Sequence, residues 1–204
     1  MKKSISYWSF SGGLDGSKRV AEAFTEAKAV GFEAVEVCLL ETGDVSLAST
    51  EADLTRVKRQ AAEVGIEIAS VACGLYWQWS LTASDVATRA KAMDISRKLI
   101  ATAAALGTDA VLVVPGAVDV FFDPAAEIVP YADAYKRASD AIGALEPEAK
   151  AAKIAIGVEN VWNKFLLGPV EMAAFVDQFK SEWVGTYFDV GNCMFIAFPE
   201  QWIQ

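Results

Sequence analysis

A helix that ends in glycine and leads directly into an apolar strand occurs three times along this sequence. The three junctions read "AVGFEAVEV", "EVGIEIASV" and "ALGTDAVLVV". Glycine favours the left-handed backbone conformation that ends a helix, and the β-branched residues after it favour a strand. The repeated junction predicts a chain of βα units. Near-continuous apolar strands separated by helices further predict a parallel sheet that is covered by helices.

Six apolar runs fit the strands of such a sheet. They read "ISYWS", "AVEVCLL", "IEIASVAC", "AVLVVP", "IAIGVE" and "VGTYFD". An open doubly wound sheet and a (β/α)8 TIM barrel both have this order, but "SFSGGLDGS" after the first strand contains neither G-x-G-x-x-G nor a Walker sequence. The barrel is therefore the better prediction. Because a barrel typically needs about 250 residues and eight strands, the 204 residues predict one incomplete α/β domain, 1–204, with about six of the eight βα units.

Two helices carry local signals of their own. Thr50, followed three residues later by Asp53, predicts a helix N-cap with an acidic first turn. A later helix is predicted to end at Gly107 and to bury one apolar face. The members of that face are Val86, Ala90, Met93, Ile100 and Ala103.

The chain contains no histidine, which removes several classes of active site. Ser/His/Asp triads, Cys/His pairs and histidine-rich zinc sites all need that residue. The three cysteines, Cys38, Cys73 and Cys193, are odd in number, far apart and without metal-ligand spacing. Free thiols in a reducing compartment fit this pattern and predict a cytoplasmic protein.

The formal net charge of -9 repels phosphodiester backbones, so nucleic acid is not an expected partner. No apolar run approaches the roughly 20 residues that cross a bilayer, and the N-terminus has no signal-peptide pattern, so no membrane partner is expected. A homo-oligomer is compatible with the sequence.

Two carboxylates end apolar strands and are followed by turn-forming residues. Glu159 closes "IAIGVE", and Asp189 closes "VGTYFD". Functional groups of parallel βα folds lie at the C-terminal ends of the strands, so the two side chains should share one mouth. Oxygen ligands on adjacent strands suit a divalent ion such as Mn²⁺ or Mg²⁺. An alternative with equal support from the spacing is that each carboxylate caps a helix or is solvated in a loop.

A third carboxylate, Glu36, lies inside the second predicted strand, between two valines. It could face the barrel interior and organise the site, or it could be a carboxylate satisfied by a neighbouring basic or backbone group. Several aromatic residues are predicted near the same mouth, where they could form a wall against the apolar face of a sugar. Core packing is the alternative for each of them. These residues are Trp8, Tyr76, Trp77, Trp79 and Trp162.

"GVENVWN" and "TYFDVGN", together with "GFEAVEV" at the second strand, resemble the xylose-isomerase-like TIM barrels. Within this superfamily of sugar phosphate isomerases and epimerases, the resemblance is closest to the ketose 3-epimerases, and it extends over nearly the whole chain. The family's metal ligands are a strand-five Glu, a strand-six Asp, a later His and a final Glu. The resemblance assigns the first two to Glu159 and Asp189, and the other two have no counterpart among the 204 residues. Asn192 stands where family members often have a substrate-contacting His.

The resemblance implies a divalent-metal-dependent isomerase or epimerase acting on a ketose sugar or sugar phosphate through an enediolate. Mn²⁺ is the first expectation for the metal, with Mg²⁺, Co²⁺ and Zn²⁺ as alternatives. Glu159 would be both a metal ligand and an acid/base catalyst. The expected substrate contacts are Trp8, Glu36, Trp77, Trp162 and Asn192.

Two other functions remain open at this point. A lyase resembling the inosose dehydratases would use the same metal and base, and a non-catalytic protein would follow from the incomplete ligand set. The DNA-repair endonucleases that share this barrel need a histidine-rich zinc cluster and a basic face, so they are excluded. As it stands, the chain is expected to bind Mn²⁺ weakly and to turn over no sugar.

Overall fold

The computed structural model describes residues 2–194 and 196–203. Strands and helices alternate along the chain, as the glycine junctions predict. The strands are β1 (Ser4–Ser6), β2 (Ala34–Leu39), β3 (Glu67–Cys73), β4 (Ala110–Val113), β5 (Ala155–Glu159) and β6 (Val184–Tyr187). The helices are α1 (Val20–Ala29), α2 (Glu51–Val64), α3 (Val86–Leu106), α4 (Tyr131–Ala152), α5 (Pro169–Asp177) and α6 (Val190–Cys193).

The six strands form one sheet in the order β1-β2-β3-β4-β5-β6, and every neighbouring pair is parallel. The predicted parallel βα sheet with six units is therefore confirmed. Sequential order places the C-terminal ends of β5 and β6 side by side, with Glu159 in register with Tyr187. The pairing of β2 with β3 contains one irregularity, a register shift between Val35 and Val37 that leaves Glu36 at a bulge.

Helix ends follow the local signals in the sequence. Gly65 and Gly107 adopt left-handed backbone angles, with φ of 72° and 80°, and end α2 and α3. At the start of α2, the Thr50 side chain accepts a hydrogen bond from the Asp53 amide. The Asp53 carboxylate in turn accepts one from the Thr50 amide. This reciprocal capping box confirms the predicted N-cap.

The prediction that α3 buries an apolar face from Val86 onward is wrong for the first turns of the helix. Val86 is 68% exposed and Ala90 is also exposed. The buried face begins only at Ala92, and it includes polar Ser96. Ser96 is satisfied by the Ala92 carbonyl and by the hydroxyl of Tyr76.

The core lies between the sheet and its helices, and much of the sheet interior is also closed to solvent. All six residues of β2 are buried, as expected for a strand that is covered on both faces. Within the described ranges, no helix combines the length and the apolar character needed to cross a membrane.

Candidate functional site

Asn160 fastens the C-terminal ends of β5 and β6 to each other. Its side-chain oxygen accepts a hydrogen bond from the Asp189 amide at 2.7 Å, and its side-chain nitrogen donates to the Asp189 carbonyl at 2.8 Å. Asn160 is 4% exposed, so both of its polar groups are satisfied inside the protein. The fastening brings Glu159, the residue before it, next to Asp189.

Asp189 also begins α6. Its Oδ1 accepts a hydrogen bond from the Asn192 amide at 2.7 Å, which makes it the N-cap of that short helix. The Asn192 side chain turns back to β5, donating to the Asn160 carbonyl at 3.0 Å and to Glu159 Oε1 at 3.4 Å. The alternative prediction, that Asp189 caps a helix, therefore holds for one of its two oxygens. The side chain of Asn192 also contacts Glu159 directly.

The carboxyl group of Glu159 lies in an unfavourable environment for a negative charge. Burial, followed by the charges of Asp189 and Glu36, raises the pKa of Glu159 from 4.5 to about 8. Across the described part of the chain, no Lys or Arg forms an ion pair with Glu159 or Asp189. Two neighbouring carboxylates without a basic partner form a site that a cation would stabilise.

The donor set fits part of a divalent-ion site. Glu159 and Asp189 provide the hard oxygen ligands that Mn²⁺ and Mg²⁺ prefer, and Mg²⁺ is often held by only one or two carboxylates. Among residues 2–194 and 196–203, no three His, Cys, Asp or Glu side chains stand close enough together to form a metal cluster. The two carboxylates could therefore supply two oxygen ligands to a divalent ion.

Glu36 lies deeper in the sheet than the two strand-end carboxylates and is 7% exposed. Its Oε2 accepts a hydrogen bond from Ser70 Oγ at 2.7 Å and another from the hydroxyl of Tyr187. Those partners come from β3 and β6, so the contact crosses the concave interior of the sheet. Glu36 therefore faces the interior, as one of its two alternatives predicted, and two side-chain hydroxyls satisfy it there.

Two of the predicted tryptophans meet above the C-terminal ends of the strands. Trp77 and Trp162 stack with ring centroids 5.5 Å apart and planes at 11°. Phe121 and Phe122, in the loop after β4, pack edge-on against Trp162, and Phe122 also packs edge-on against Trp77. Both phenylalanines are more than half exposed, a placement typical of binding surfaces.

The two phenylalanines were missed from the sequence. The available signal was an aromatic pair inside "VDVFFDP", a polar, proline-containing stretch with no helical or strand period. Of the other aromatic candidates, Tyr76 is 2% exposed and belongs to the core, where its hydroxyl meets Ser96. Trp8 is partly buried, and its ring lies close to Gly74 at the end of β3.

Hydrogen bonds join the loops that carry this aromatic cluster. Asn163 donates to the Gly116 carbonyl at 2.6 Å, which links the β5 loop to the β4 loop. Thr82 in the β3 loop both donates to the Ala117 carbonyl and accepts from the Ala117 amide. The three loops therefore form one connected rim beside the carboxylates.

Comparison with solved structures shows the same architecture in sugar epimerases. A D-psicose 3-epimerase crystallised in the presence of D-fructose is 20% identical, with a TM-score of 0.79, over 96% of this chain and 65% of its own. The D-psicose 3-epimerase of Clostridium cellulolyticum H10, solved with D-tagatose, is 16% identical with a TM-score of 0.79, over 93% of this chain and 64% of its own. An L-ribulose 3-epimerase is 20% identical with a TM-score of 0.75, over 95% of this chain and 62% of its own.

The chain thus spans just under two thirds of the length of these structures. At such identities the likeness shows a shared fold. No curated protein sequence matches the chain. The model of the xylose isomerase-like TIM barrel family matches residues 24–204, which is most of the chain. The six parallel βα units and this match together show that the chain belongs to the xylose isomerase-like TIM barrel family.

Proposed function

We propose that the Glu159–Asp189 pair is the metal-binding and proton-transfer half of an isomerase or epimerase centre for a ketose sugar or sugar phosphate. The observation that carries this proposal is the pair itself, two adjacent strand-end carboxylates without a basic partner among the described residues. The family membership and the sugar epimerases among the structural neighbours support the substrate class.

A divalent ion, with Mn²⁺ as our first candidate, would polarise the carbonyl and the adjacent hydroxyl of the ketose. Glu159 removes the proton from the carbon between those groups, leaving an enediolate, and can return it to the same face. A carboxyl group whose pKa lies at about 8 is well matched to proton transfer near neutral pH. Asn192 orients this carboxylate, and the Trp77–Trp162 stack offers an aromatic surface to the sugar.

Metal binding provides the first test. We expect weak Mn²⁺ binding by the chain at pH 8, measured by electron paramagnetic resonance of free Mn²⁺, and at least about ten-fold weaker binding in Glu159→Gln and Asp189→Asn. Glu63→Gln removes the same charge from an exposed helix position and should bind as the wild type does. Equal affinity in all four proteins would contradict the assignment of the site.

Proton transfer provides the second test. With Glu159 as the only assigned acid/base group, we expect slow exchange of one ketose C–H with deuterium in D₂O and Mn²⁺. Formation of the epimer should stay below about 1 per second. NMR on D-fructose and D-tagatose measures both quantities, and Glu159→Gln should abolish the exchange. Exchange that persists in this variant would refute its role as base, and an unsaturated diketo product absorbing in the ultraviolet would identify a lyase instead.

A further inference from the structure

Glu36 is a buried carboxylate that the proposed chemistry does not use. It lies where the pairing of β2 with β3 shifts register, and a β-bulge of this kind commonly redirects a side chain beside a functional site. Two hydroxyl donors hold it, Ser70 from β3 and Tyr187 from β6. Ser70 is 4% exposed, and its oxygen lies 3.2 Å from that of Tyr187, so the three polar groups form one closed network.

The ring of Tyr187 occupies the space directly below Glu159. Tyr187 and Glu159 are in register on neighbouring parallel strands, so their side chains emerge on the same face of the sheet. Two residues before Glu159 stands Gly157, where an added Cβ would lie 2.7 Å from Cδ2 of Tyr187. The tyrosine ring therefore lies across Gly157, and its hydroxyl reaches the opposite side of the interior.

The chemistry of the network holds this ring in one place. The Ser70 and Tyr187 hydroxyls both donate to Oε2 of Glu36, which ties the Tyr187 ring to a partner on the opposite side of the interior. The ring cannot swing away from Gly157 without leaving this carboxylate poorly satisfied, which is costly in a buried site.

We propose that Tyr187, anchored by Glu36 and Ser70, is a positioning residue that forms the floor of the site and fixes Glu159 and Asp189 in place. The inference deepens the proposed function and rests on it only where metal binding is concerned. The network joins the strand that precedes Asp189 to two strands on the far side of the interior. Loss of the anchor should therefore loosen the carboxylate pair while leaving the outer helices intact.

Tyr187→Phe tests the anchor because it removes only the hydroxyl, and Glu36→Gln removes the charge of the acceptor. Tyr76→Phe is the matched control, since the Tyr76 hydroxyl is also buried and bonded to a serine, at 2.9 Å, but in the core beside α3. Two measurements are made on each protein: amide hydrogen exchange at Asp189 and Asn192 without metal, and Mn²⁺ affinity. These amides donate to side chains of the site, so their exchange reports the carboxylate pair directly.

We expect exchange at both amides to be about ten-fold faster in Tyr187→Phe and Glu36→Gln, and Mn²⁺ affinity to fall about ten-fold or more. Tyr76→Phe should change neither quantity, although it lowers stability. Exchange that is faster in Tyr187→Phe and Glu36→Gln than in the wild type would support the positioning role. If neither the wild type nor any variant binds Mn²⁺, the proposed function is contradicted while the positioning role stands. Exchange at the two amides that is the same in Tyr187→Phe as in Tyr76→Phe would overturn the inference.

Discussion

At the scale of single residues, Glu159 combines three conditions that seldom coincide on a structural carboxylate. Glu159 is partly buried, and it lies next to the charge of Asp189. Its carboxylate accepts a long hydrogen bond of 3.4 Å from the side-chain amide of Asn192. A carboxyl group kept only for stability would be paired with a basic residue or exposed to water. The fold therefore maintains Glu159 at the expense of stability, as is common for groups that act on a substrate.

Glu159→Gln should raise stability at high pH. Because the pKa of Glu159 is 4.5 when unperturbed and about 8 in the folded protein, the unfolded chain loses its proton first as the pH rises. The folded state then loses relative stability between about pH 4.5 and 8, and the loss is complete above that window. We expect the variant to be more stable than the wild type by roughly 5 kcal/mol at pH 9 and equally stable near pH 4.

Urea denaturation at the two pH values measures this difference. Glu63→Gln, at an exposed position, should show no comparable dependence on pH. A stability difference between Glu159→Gln and the wild type that is the same at pH 4 and pH 9 would mean that the folded protein does not raise the pKa of Glu159.

At the scale of the elements, β5, β6 and the residues that directly follow them position the carboxylate pair. Each is short, with five and four residues. Both carry a glycine at the paired position, Gly157 opposite Gly185. The two glycines have different surroundings, because an added Cβ at Gly157 meets Tyr187 and the Val111 carbonyl, whereas nothing lies within 4 Å of one at Gly185.

Gly157→Ala should therefore destabilise the protein by about 1–3 kcal/mol, because the methyl group overlaps the Tyr187 ring and the backbone of β4. Gly185→Ala, the matched change one strand away, should alter stability by less than about 0.5 kcal/mol. Thermal unfolding of both variants provides the measurement. Equal effects of the two substitutions would show that the ring does not lie where the structure places it.

Strand order, helix stops and the α2 capping box were predictable because each depends on residues close together in sequence. The same holds for Glu159 and Asp189, which end apolar runs. The contact of Tyr187 with Glu36 was not predictable, because 151 residues separate the partners and only the curvature of the sheet brings them together. The fastening by Asn160 was missed for the same reason, since its partner is backbone 29 residues away.

At the scale of the whole molecule, exposed apolar side chains concentrate beside β6. They include Val170, Met194, Phe198 and Ile203, each at least 65% exposed. A groove of about 420 Å³ lies beside Ile203, lined in part by Met172, Phe188 and Trp202. This flank contrasts with the charged helix surfaces that give the chain its net charge of -9. Apolar surface on this side favours association, and the common negative charge opposes it.

Association should consequently increase with salt, because screening weakens the repulsion between negatively charged copies and leaves the apolar contact intact. Sedimentation velocity at increasing protein concentration in 0.05 M and 0.5 M NaCl measures the effect. Phe198→Ser should reduce the association, and Val30→Ser, an equally exposed position at the end of α1, should not. A monomer at every salt and protein concentration would contradict this expectation.

The side-chain amide of Asn160 forms both of its hydrogen bonds with the backbone of Asp189, and this has a consequence for how such a protein can diversify. This fastening holds the two carboxylates side by side without a side chain from the β3 or β4 loop. Mutations can accumulate in the rim that carries Trp77, Phe121 and Phe122, changing which molecule fits, while the carboxylate pair stays intact. Under the proposed function, substrate preference and chemical capability would be separately heritable, and one could drift without loss of the other.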